Sequence, residues 1–133
     1  MINAAVSIAS KTFVVLHPHI HYTGIMDNKT AVIILTAIAH DTRLSAFQLL
    51  ARSEPHGLAA GEVARRLDVP QNTMSVHLAT LAQAGLVRWE RHSRHKIYRA
   101  DCERLTALTL FLAEHCCAGK AGVSFKPLKD VSV

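Results

Sequence analysis

The stretch that decides the fold covers residues 62–91 and reads EVARRLDVPQNTMSVHLATLAQAGLVRWER. Its apolar residues recur at the spacing expected of two short amphipathic helices. They are Val63, Ala64 and Leu67 in the third helix of the chain, and Met74, Leu78 and Leu81 in a fourth helix over residues 71–84. Residues 68–70 form the turn, in which Asp68 is tolerated because Asp visits left-handed backbone. Two helices joined by a three-residue turn predict a helix-turn-helix.

After Gly85 the apolar pattern changes from helical to alternating. Glycine suits the end of the fourth helix because the residue beyond a helix often takes a positive φ. Residues 86–91 and 96–99 then predict two strands around a tip at residues 92–95. A hairpin directly after the second helix of a helix-turn-helix is a wing.

Three further helices flank this unit. Asp27 and Asn28 are good capping residues for a first, apolar helix that is too short to span a bilayer. A second helix from Asp41 carries Leu44, Phe47 and Leu50 on one apolar stripe, and the loop at residues 53–57 closes it. The terminal helix begins near Asp101 and is ended by Gly119 and Gly122. Its apolar residues are Leu105, Leu108, Leu110, Phe111 and Leu112.

The chain of 133 residues is long enough for one domain and too short for two. We predict a mainly α domain with a small β-hairpin, a winged helix-turn-helix over residues 26–119. So apolar a terminal helix is expected to pack on a second copy, which predicts dimerisation through the terminal helices. Residues 1–25 are interpreted as a leader, either disordered or a non-native start, and residues 120–133 as a flexible tail.

Positive charge is concentrated around the predicted motif. The chain has 15 Lys and Arg against 10 Asp and Glu, a formal charge of +5. Residues 62–99 hold seven of the basic residues and only three acids: Arg65, Arg66, Arg88, Arg91, Arg94, Lys96 and Arg99 against Glu62, Asp68 and Glu90. A basic domain of this size favours an anionic partner, nucleic acid first.

The outward face of the fourth helix carries no charge. It presents short amide, hydroxyl and apolar side chains: Gln71, Asn72, Thr73, Ser75, Val76, His77 and Thr80. Such side chains reach base edges and thymine methyl groups in the major groove, whereas ordinary solvent exposure normally brings Glu and Lys. We therefore predict that residues 71–77 of this face read duplex DNA. Arg91, Arg94 and Lys96 of the wing would meet phosphates or the minor groove. Together with Arg65 and Arg66 beside the third helix, they are assigned to positioning the protein rather than to reading bases.

Several stretches resemble the ArsR/SmtB family of bacterial metal-responsive repressors. Residues 37–44 (AIAHDTRL) resemble the family's opening, and residues 62–67, 71–78 and 84–87 with Leu81 resemble its helix-turn-helix. The match covers roughly residues 28–119. One departure is Pro70, where the family often has a capping Ser. The resemblance implies a homodimer that occupies a DNA operator until a metal, metalloid or thiol-reactive signal releases it.

The family's sensing sites lie in different places, and this chain matches one of them. Residues 58–63 lack the thiols of a third-helix site, and the terminal-helix positions Asp101, Glu103, Glu114 and Cys117 lack the two His of a zinc site. Residues 115–119 (HCCAG) resemble the arsenite-responsive subset. Neighbouring Cα atoms lie only about 3.8 Å apart, below the ~4.4–6.8 Å of a relaxed disulfide, so a vicinal pair favours a thiophilic ion over a bridge.

The subset usually has a third cysteine beyond the pair, and residues 120–133 hold none. Our hypothesis is a site for As(III) or Sb(III) made from Cys116 and Cys117 together with Cys102 of the partner subunit, because antiparallel terminal helices would bring the start of one to the end of the other. No obligatory cofactor is expected.

Three other readings stay open. A thiol-based redox sensor of the same fold would oxidise Cys102 and a cysteine of the pair, and a small cysteine-dependent enzyme is a remote alternative. A membrane or structural adaptor is a further option that rests only on the apolar leader at residues 1–25. The chain offers no glycine-rich phosphate loop and no Cys/His/Asp set, so we expect no enzyme. Three cysteines make no even-numbered disulfide framework, which favours a reducing cytoplasm. The expected partners are an operator and a second copy, with no membrane.

Overall fold

The computed structural model describes residues 26–117, which form five helices and three strands. The helices are α1 (Asn28–Ile38), α2 (Asp41–Arg52), α3 (Ala60–Leu67), α4 (Gln71–Gln83) and α5 (Cys102–Cys116). The strands are β1 (Leu58–Ala59), β2 (Val87–His92) and β3 (His95–Ala100). The predicted leader at 1–25, the tail at 120–133 and the helix-ending Gly119 and Gly122 lie outside the described residues. Within residues 26–117, no helix combines the length and apolar character needed to cross a membrane.

The predicted helix-turn-helix and wing are confirmed. Helices α3 and α4 are joined by residues 68–70, and Asp68 takes the left-handed conformation at φ 54°, as the turn requires. Gly85 ends the α4 region at φ +75°. Strands β2 and β3 then pair antiparallel from Val87↔Ala100 to His92↔His95. The fold class is therefore a mainly α winged helix-turn-helix.

The predicted hairpin is extended by a third, short strand that the sequence did not indicate. Strand β1 pairs with β3 through Leu58↔Tyr98, which gives a sheet of order β1-β3-β2. The loop before β1 lies close to β3. Gly57 in this loop allows the close approach because it adopts φ +72° and has no Cβ, which would lie only 2.6 Å from the Tyr98 carbonyl oxygen. The wing tip is also shorter than predicted, because His92 and His95 belong to the strands and only Ser93 and Arg94 connect them.

All five helices and the sheet contribute to one apolar core. Its fully buried side chains come from four helices and from the start of β2. They are Ile34 of α1, Leu50 of α2, Val63 of α3, Met74, Leu78 and Leu81 of α4, Leu86, which precedes β2, and Val87, which begins it. The inward residues predicted for α3 and α4 are confirmed, with Leu67 partly buried against this core. Leu44 is not part of the predicted stripe, because it is 43% exposed while Phe47 and Leu50 are buried.

Side chains cap three of the helices. Asp27 accepts a hydrogen bond from the Thr30 amide (2.8 Å), which confirms the predicted start of α1. His40 Nδ1 accepts from the Thr42 amide (3.1 Å) at the start of α2, and Asp101 accepts from the Arg104 amide (3.0 Å) at the start of α5. Helix α5 ends at Cys116, before the predicted glycines, where the Cys117 amide donates to the Ala113 carbonyl.

Candidate nucleic-acid interface

Helix α4 presents its uncharged face beside the wing. Gln71, Asn72, Thr73 and Val76 are exposed, and Val76 keeps 65% of its surface open to solvent. The opposite face, Met74, Leu78 and Leu81, is completely buried and fixes the rotation of the helix. An exposed Val beside amides and hydroxyls provides both kinds of contact that a thymine-containing site offers, a methyl surface and base-edge hydrogen bonds. The predicted reading face is therefore accessible.

The start of α4 has backbone donors available. Pro70 occupies the capping position and makes no side-chain cap, so the missing hydroxyl noted in the sequence is not replaced. The first amides of a helix have no intrahelical acceptor, and together they form a weakly positive site that favours anions. Gln71 is the first residue of α4. Its side-chain amide lies about 3.4 Å from the position that a Cβ on Gly61 of α3 would occupy, so α3 lies close to the start of α4.

An open groove of about 320 Å³ separates α4 from the wing. Gln71 and Ser75 line it from the helix, while Arg94 and Lys96 line it from the wing. The structure thus brings together predicted site residues from two elements that are about 20 positions apart in the chain. Arg91 pairs with Lys96 in the strand register but does not line the groove.

The aromatic ring of Trp89 supports the wing lysine. The Lys96 Nζ atom lies 4.3 Å from the centre of that ring, a cation–π contact. Lys96 therefore has an aromatic neighbour within the wing and also lines the groove.

The basic residues divide into two groups in the structure. Four of the seven around the motif contact carboxylates: Arg65 and Arg66 contact Glu62 (both 2.7 Å), Arg88 contacts Asp101 (3.9 Å) and Arg99 contacts Glu90. Hydrogen bonds from Arg65 and Arg66 lower the pKa of Glu62 to about 2, so that carboxylate stays charged. In the described part of the chain, the other three make no ion pair: Arg91, Arg94 and Lys96.

This division refines the sequence-based assignment. Arg65 and Arg66 share one carboxylate, so the phosphate-binding role predicted for both is weakened by a neighbouring negative charge. Arg91, Arg94 and Lys96 keep their full charge and belong to the wing. The local positive potential is therefore concentrated on the wing rather than on α3.

His77 is partly buried, as is Ser75, whereas the other residues of the predicted reading face are exposed. Its ring lies 4.6 Å from the ring of His40, centre to centre, and its Nδ1 atom lies 3.5 Å from Nη1 of Arg43. Burial lowers the pKa of His77, and the neighbouring His40 and Arg43 lower it further. The sequence gives no local sign that His40 and Arg43 are neighbours of His77, because both lie more than 30 residues earlier in the chain.

The three cysteines lie at the two ends of α5, and all are exposed. Cys102 begins the helix and Cys116 ends it, which separates them by about 21 Å at ~1.5 Å per residue. Burial raises the pKa of the Cys102 thiol, and the carboxylates of Glu54 and Asp101 raise it further. Among residues 26–117 of a single chain, no three His, Cys, Asp or Glu side chains come together as a metal site. A three-cysteine site thus cannot form within one protomer.

Helices α1 and α5 leave apolar side chains in solvent. Val32, Ile33 and Leu35 of α1 are 60%, 47% and 40% exposed, and Leu110 of α5 is 49% exposed. Helix α5 has one fully buried apolar residue, Leu108, although most of its residues are apolar. Large apolar side chains exposed on two helices that contact each other make this part of the surface a candidate for contact with another protein.

The fold, the accessible uncharged helix and the basic wing together define a winged helix-turn-helix DNA-binding protein. A family model described as "Helix-turn-helix domain" matches residues 38–88, from the end of α1 into β2. That match contains the whole of α3, the turn and α4. It agrees with the part of the chain from which the fold was predicted.

Two curated proteins and one solved structure extend the match. The chain is 31% identical to the transcriptional activator HlyU of Vibrio cholerae over 87 residues, which are 65% of this chain and 78% of that protein. It is 33% identical over 86 residues to the biofilm growth-associated repressor of Agrobacterium fabrum, covering 65% of this chain and 71% of that one.

The solved structure is a homodimeric winged helix-turn-helix domain from Mycobacterium bovis, named a possible ArsR-family transcriptional regulator. It superposes with a TM-score of 0.53 at 29% identity and covers 71% of this chain and 93% of that one. The chain belongs to the ArsR family of winged helix-turn-helix transcriptional regulators, as the sequence resemblance predicted.

Proposed function

We propose that this protein is a homodimeric repressor that leaves its operator when a thiophilic metalloid, As(III) or Sb(III), binds its C-terminal cysteines. The observation that carries the DNA-binding part is the groove between α4 and the wing. There, uncharged Gln71 and Ser75 lie across from Arg94 and Lys96, which form no ion pair with a carboxylate of residues 26–117. Side chains that read bases and side chains that bind phosphate thus occupy opposite walls of one groove.

Helix α4 enters the major groove of the operator in this proposal. Its first turn provides Gln71, Asn72 and Thr73, and Val76 meets a thymine methyl group. Amide side chains pair best with adenine, so we expect adenine and thymine opposite this turn. Arg91, Arg94 and Lys96 bind the flanking phosphates and set the position of the helix without reading sequence.

The dimer forms through α1 and α5. Their exposed Val32, Ile33, Leu35 and Leu110 provide the apolar surface, and the two helices contact each other within the protomer. A two-fold axis buries the same patch twice and presents two copies of α4 to successive major grooves. The homodimeric state of the related Mycobacterium bovis domain supports this assembly.

The repressor role follows from the family resemblance and from one of the two curated relatives. The Agrobacterium protein is named a repressor, whereas the Vibrio protein is named an activator. A protein that occludes a promoter needs only to bind DNA, and release then requires an effector that binds the DNA-incompetent dimer more tightly. Couplings of this kind are typically about 1–3 kcal/mol.

Cys116 and Cys117 are the proposed effector ligands. Both thiols are exposed at the end of α5, where the chain leaves the helix and can adjust to an ion. Trivalent metalloids bind three thiolates better than two, and Cys102 of the partner subunit is the third ligand we propose. Antiparallel packing of two α5 helices, each about 22 Å long, would bring the start of one beside the end of the other.

The test is an operator-binding titration of the reduced protein with the DNA upstream of its own gene, with and without arsenite. We expect arsenite to release the wild-type protein and to have no effect on Cys116→Ser/Cys117→Ser. Cys102→Ser should need a higher arsenite concentration for release. If it is released as readily as the wild type, the partner's Cys102 is not a ligand, while unaltered release from the double variant would remove the metalloid proposal.

A redox sensor is the second candidate, and the exposure of all three thiols favours it. The raised pKa of Cys102 argues against that thiol as the reactive one, since the thiolate is the nucleophile. Oxidation would therefore begin at Cys116 or Cys117. Release by peroxide but not by arsenite, reversed by a thiol reductant, would support the redox sensor. A cytoplasmic location remains a prediction of the cysteine content.

A further inference from the structure

Arg43 contacts two helices besides its own. It lies in the first turn of α2, and its Nε atom donates to the carbonyl of Ala37 at the end of α1. Nη2 lies 3.4 Å from the carbonyl of Thr36, and Nη1 makes a long contact of 3.5 Å with Nδ1 of His77 in α4. The same guanidinium group thus satisfies carbonyls at the end of α1 and contacts an imidazole on the recognition helix.

The Arg43 contact favours one of the two nitrogens of His77 as the site of the proton. A guanidinium group can only donate, so Nδ1 of His77 must accept. In a neutral imidazole with an accepting Nδ1, the proton is on Nε2. Among the described residues, Nε2 of His77 has no hydrogen-bond partner within the protein.

His40 restricts the His77 ring from the other side. The two rings lie 4.6 Å apart at an interplanar angle of 45°. His40 is itself fixed, because its Nδ1 accepts the Thr42 amide at the start of α2. The His77 ring is therefore enclosed by a guanidinium group and a second imidazole, both held by hydrogen bonds to the backbone.

We infer that Arg43 is a positioning residue for DNA recognition, which holds His77 as a neutral imidazole whose Nε2–H donates to an acceptor on the DNA, either a base edge or a phosphate oxygen. This inference rests on the proposed function, in which α4 enters the major groove. Guanine O6 and N7 and thymine O4 are the base acceptors available there. Because burial, His40 and Arg43 all lower the pKa of His77, the neutral form is the one present at neutral pH.

The first experiment measures the tautomer directly in the wild-type protein. The ¹⁵N chemical shifts of a neutral imidazole distinguish a proton on Nε2 from one on Nδ1. The chain has 9 His, so the His77 signals are assigned as those missing from the spectrum of His77→Gln. We expect the Nε2–H form, and in Arg43→Gln we expect the imidazole pKa of His77 to rise. A dominant Nδ1–H form in the wild type would overturn the inference whatever the variants do.

The second experiment compares operator affinities. The amide nitrogen of Gln reaches the position of Nε2, whereas that of Asn reaches only the position of Nδ1. His77→Gln should therefore bind within about twofold of the wild type, and His77→Asn should lose about tenfold, the size of one lost hydrogen bond to a good acceptor. Equal affinities of the two variants would contradict a donor at Nε2.

Arg52 gives a matched control for Arg43. It lies in the last turn of the same helix, is exposed, and makes no ion pair in the described part of the chain. Each Gln variant removes one positive charge from each protomer, so the two variants have the same net charge. We expect about a tenfold loss for Arg43→Gln and at most about twofold for Arg52→Gln. Arg43→Lys, which keeps the charge but not the planar fork, should resemble Arg43→Gln.

The outcomes separate this inference from the proposed function. If the wild-type protein binds no duplex DNA at low salt, the proposed function fails. If it binds DNA but Arg43→Gln and Arg52→Gln lose the same affinity, DNA binding stands and the positioning role of Arg43 is wrong. Should Arg43→Gln unfold, the wild-type tautomer and the His77 pair still decide the question.

Discussion

The salt dependence of operator binding follows from which basic residues are paired with carboxylates. Arg91, Arg94 and Lys96 make no ion pair within residues 26–117, which gives about six available cations in a dimer. Each phosphate neutralised on duplex DNA contributes a slope of about −0.9 to the logarithm of affinity against the logarithm of salt concentration. The expected slope is therefore about −5, which is roughly a thousandfold loss of affinity between 50 and 200 mM salt.

Single substitutions test this count by fluorescence anisotropy with a labelled operator at several salt concentrations. Arg94→Gln removes one contact from each protomer, so the slope should become less negative by about 2. Arg65→Gln is the control, because Arg65 is 70% exposed yet lies 2.7 Å from a Glu62 oxygen. Its slope should stay close to that of the wild type. If Arg65→Gln changes the slope as much as Arg94→Gln, the reasoning from ion pairing is refuted.

Three further predictions concern stability and assembly. Because the pKa of Glu62 is lowered to about 2, its contribution to stability is complete above the unfolded-state pKa near 4.5 and is lost as the pH falls toward 2. Urea unfolding between these pH values should show that loss, and Glu62→Gln should show less of it. Gly57→Ala should destabilise the fold by about 2 kcal/mol or more, from left-handed backbone and the 2.6 Å approach to the Tyr98 carbonyl, as measured by urea unfolding. Gly61→Ala, where the added Cβ meets only the Gln71 side chain, is the control and should be neutral or stabilising; an equal loss would contradict this account. Ile33→Glu should shift the protein toward monomers in sedimentation experiments, since Ile33 is 47% exposed on the proposed dimer surface. A variant that stays fully dimeric would place the interface elsewhere.

Local patterns were sufficient to predict most of the fold. The helical spacing of Met74, Leu78 and Leu81, the positive φ expected at Gly85 and the alternation in the wing each depend on neighbours within a few residues. Strand β1 could not be predicted because its two residues are too few to show a periodic pattern. Leu58 is part of a strand only because it pairs with Tyr98, which lies 40 positions later in the chain.

The candidate site was predictable to a similar extent. The accessible side chains of α4 follow from the helical period, and the pairing of Glu62 with Arg65 and Arg66 could have been found, because three- and four-residue separations place them on one face. The contact between Arg43 and His77 could not, since it joins α2 to α4 across 34 positions. Leu44 shows the same limit, because a three-residue spacing does not determine which side of a short helix faces the core.

The cation–π contact in the wing has a practical consequence for studying the protein. Trp89 is the only tryptophan in the chain, and the ammonium group of Lys96 lies 4.3 Å from the centre of its ring. In the proposed function Lys96 turns toward a phosphate when the wing docks, which would move the charge next to the indole, and the emission of an indole depends on nearby charge. Unlabelled protein therefore has an intrinsic optical reporter at the wing, so docking of this hairpin on a nucleic acid can be timed separately from that of α4.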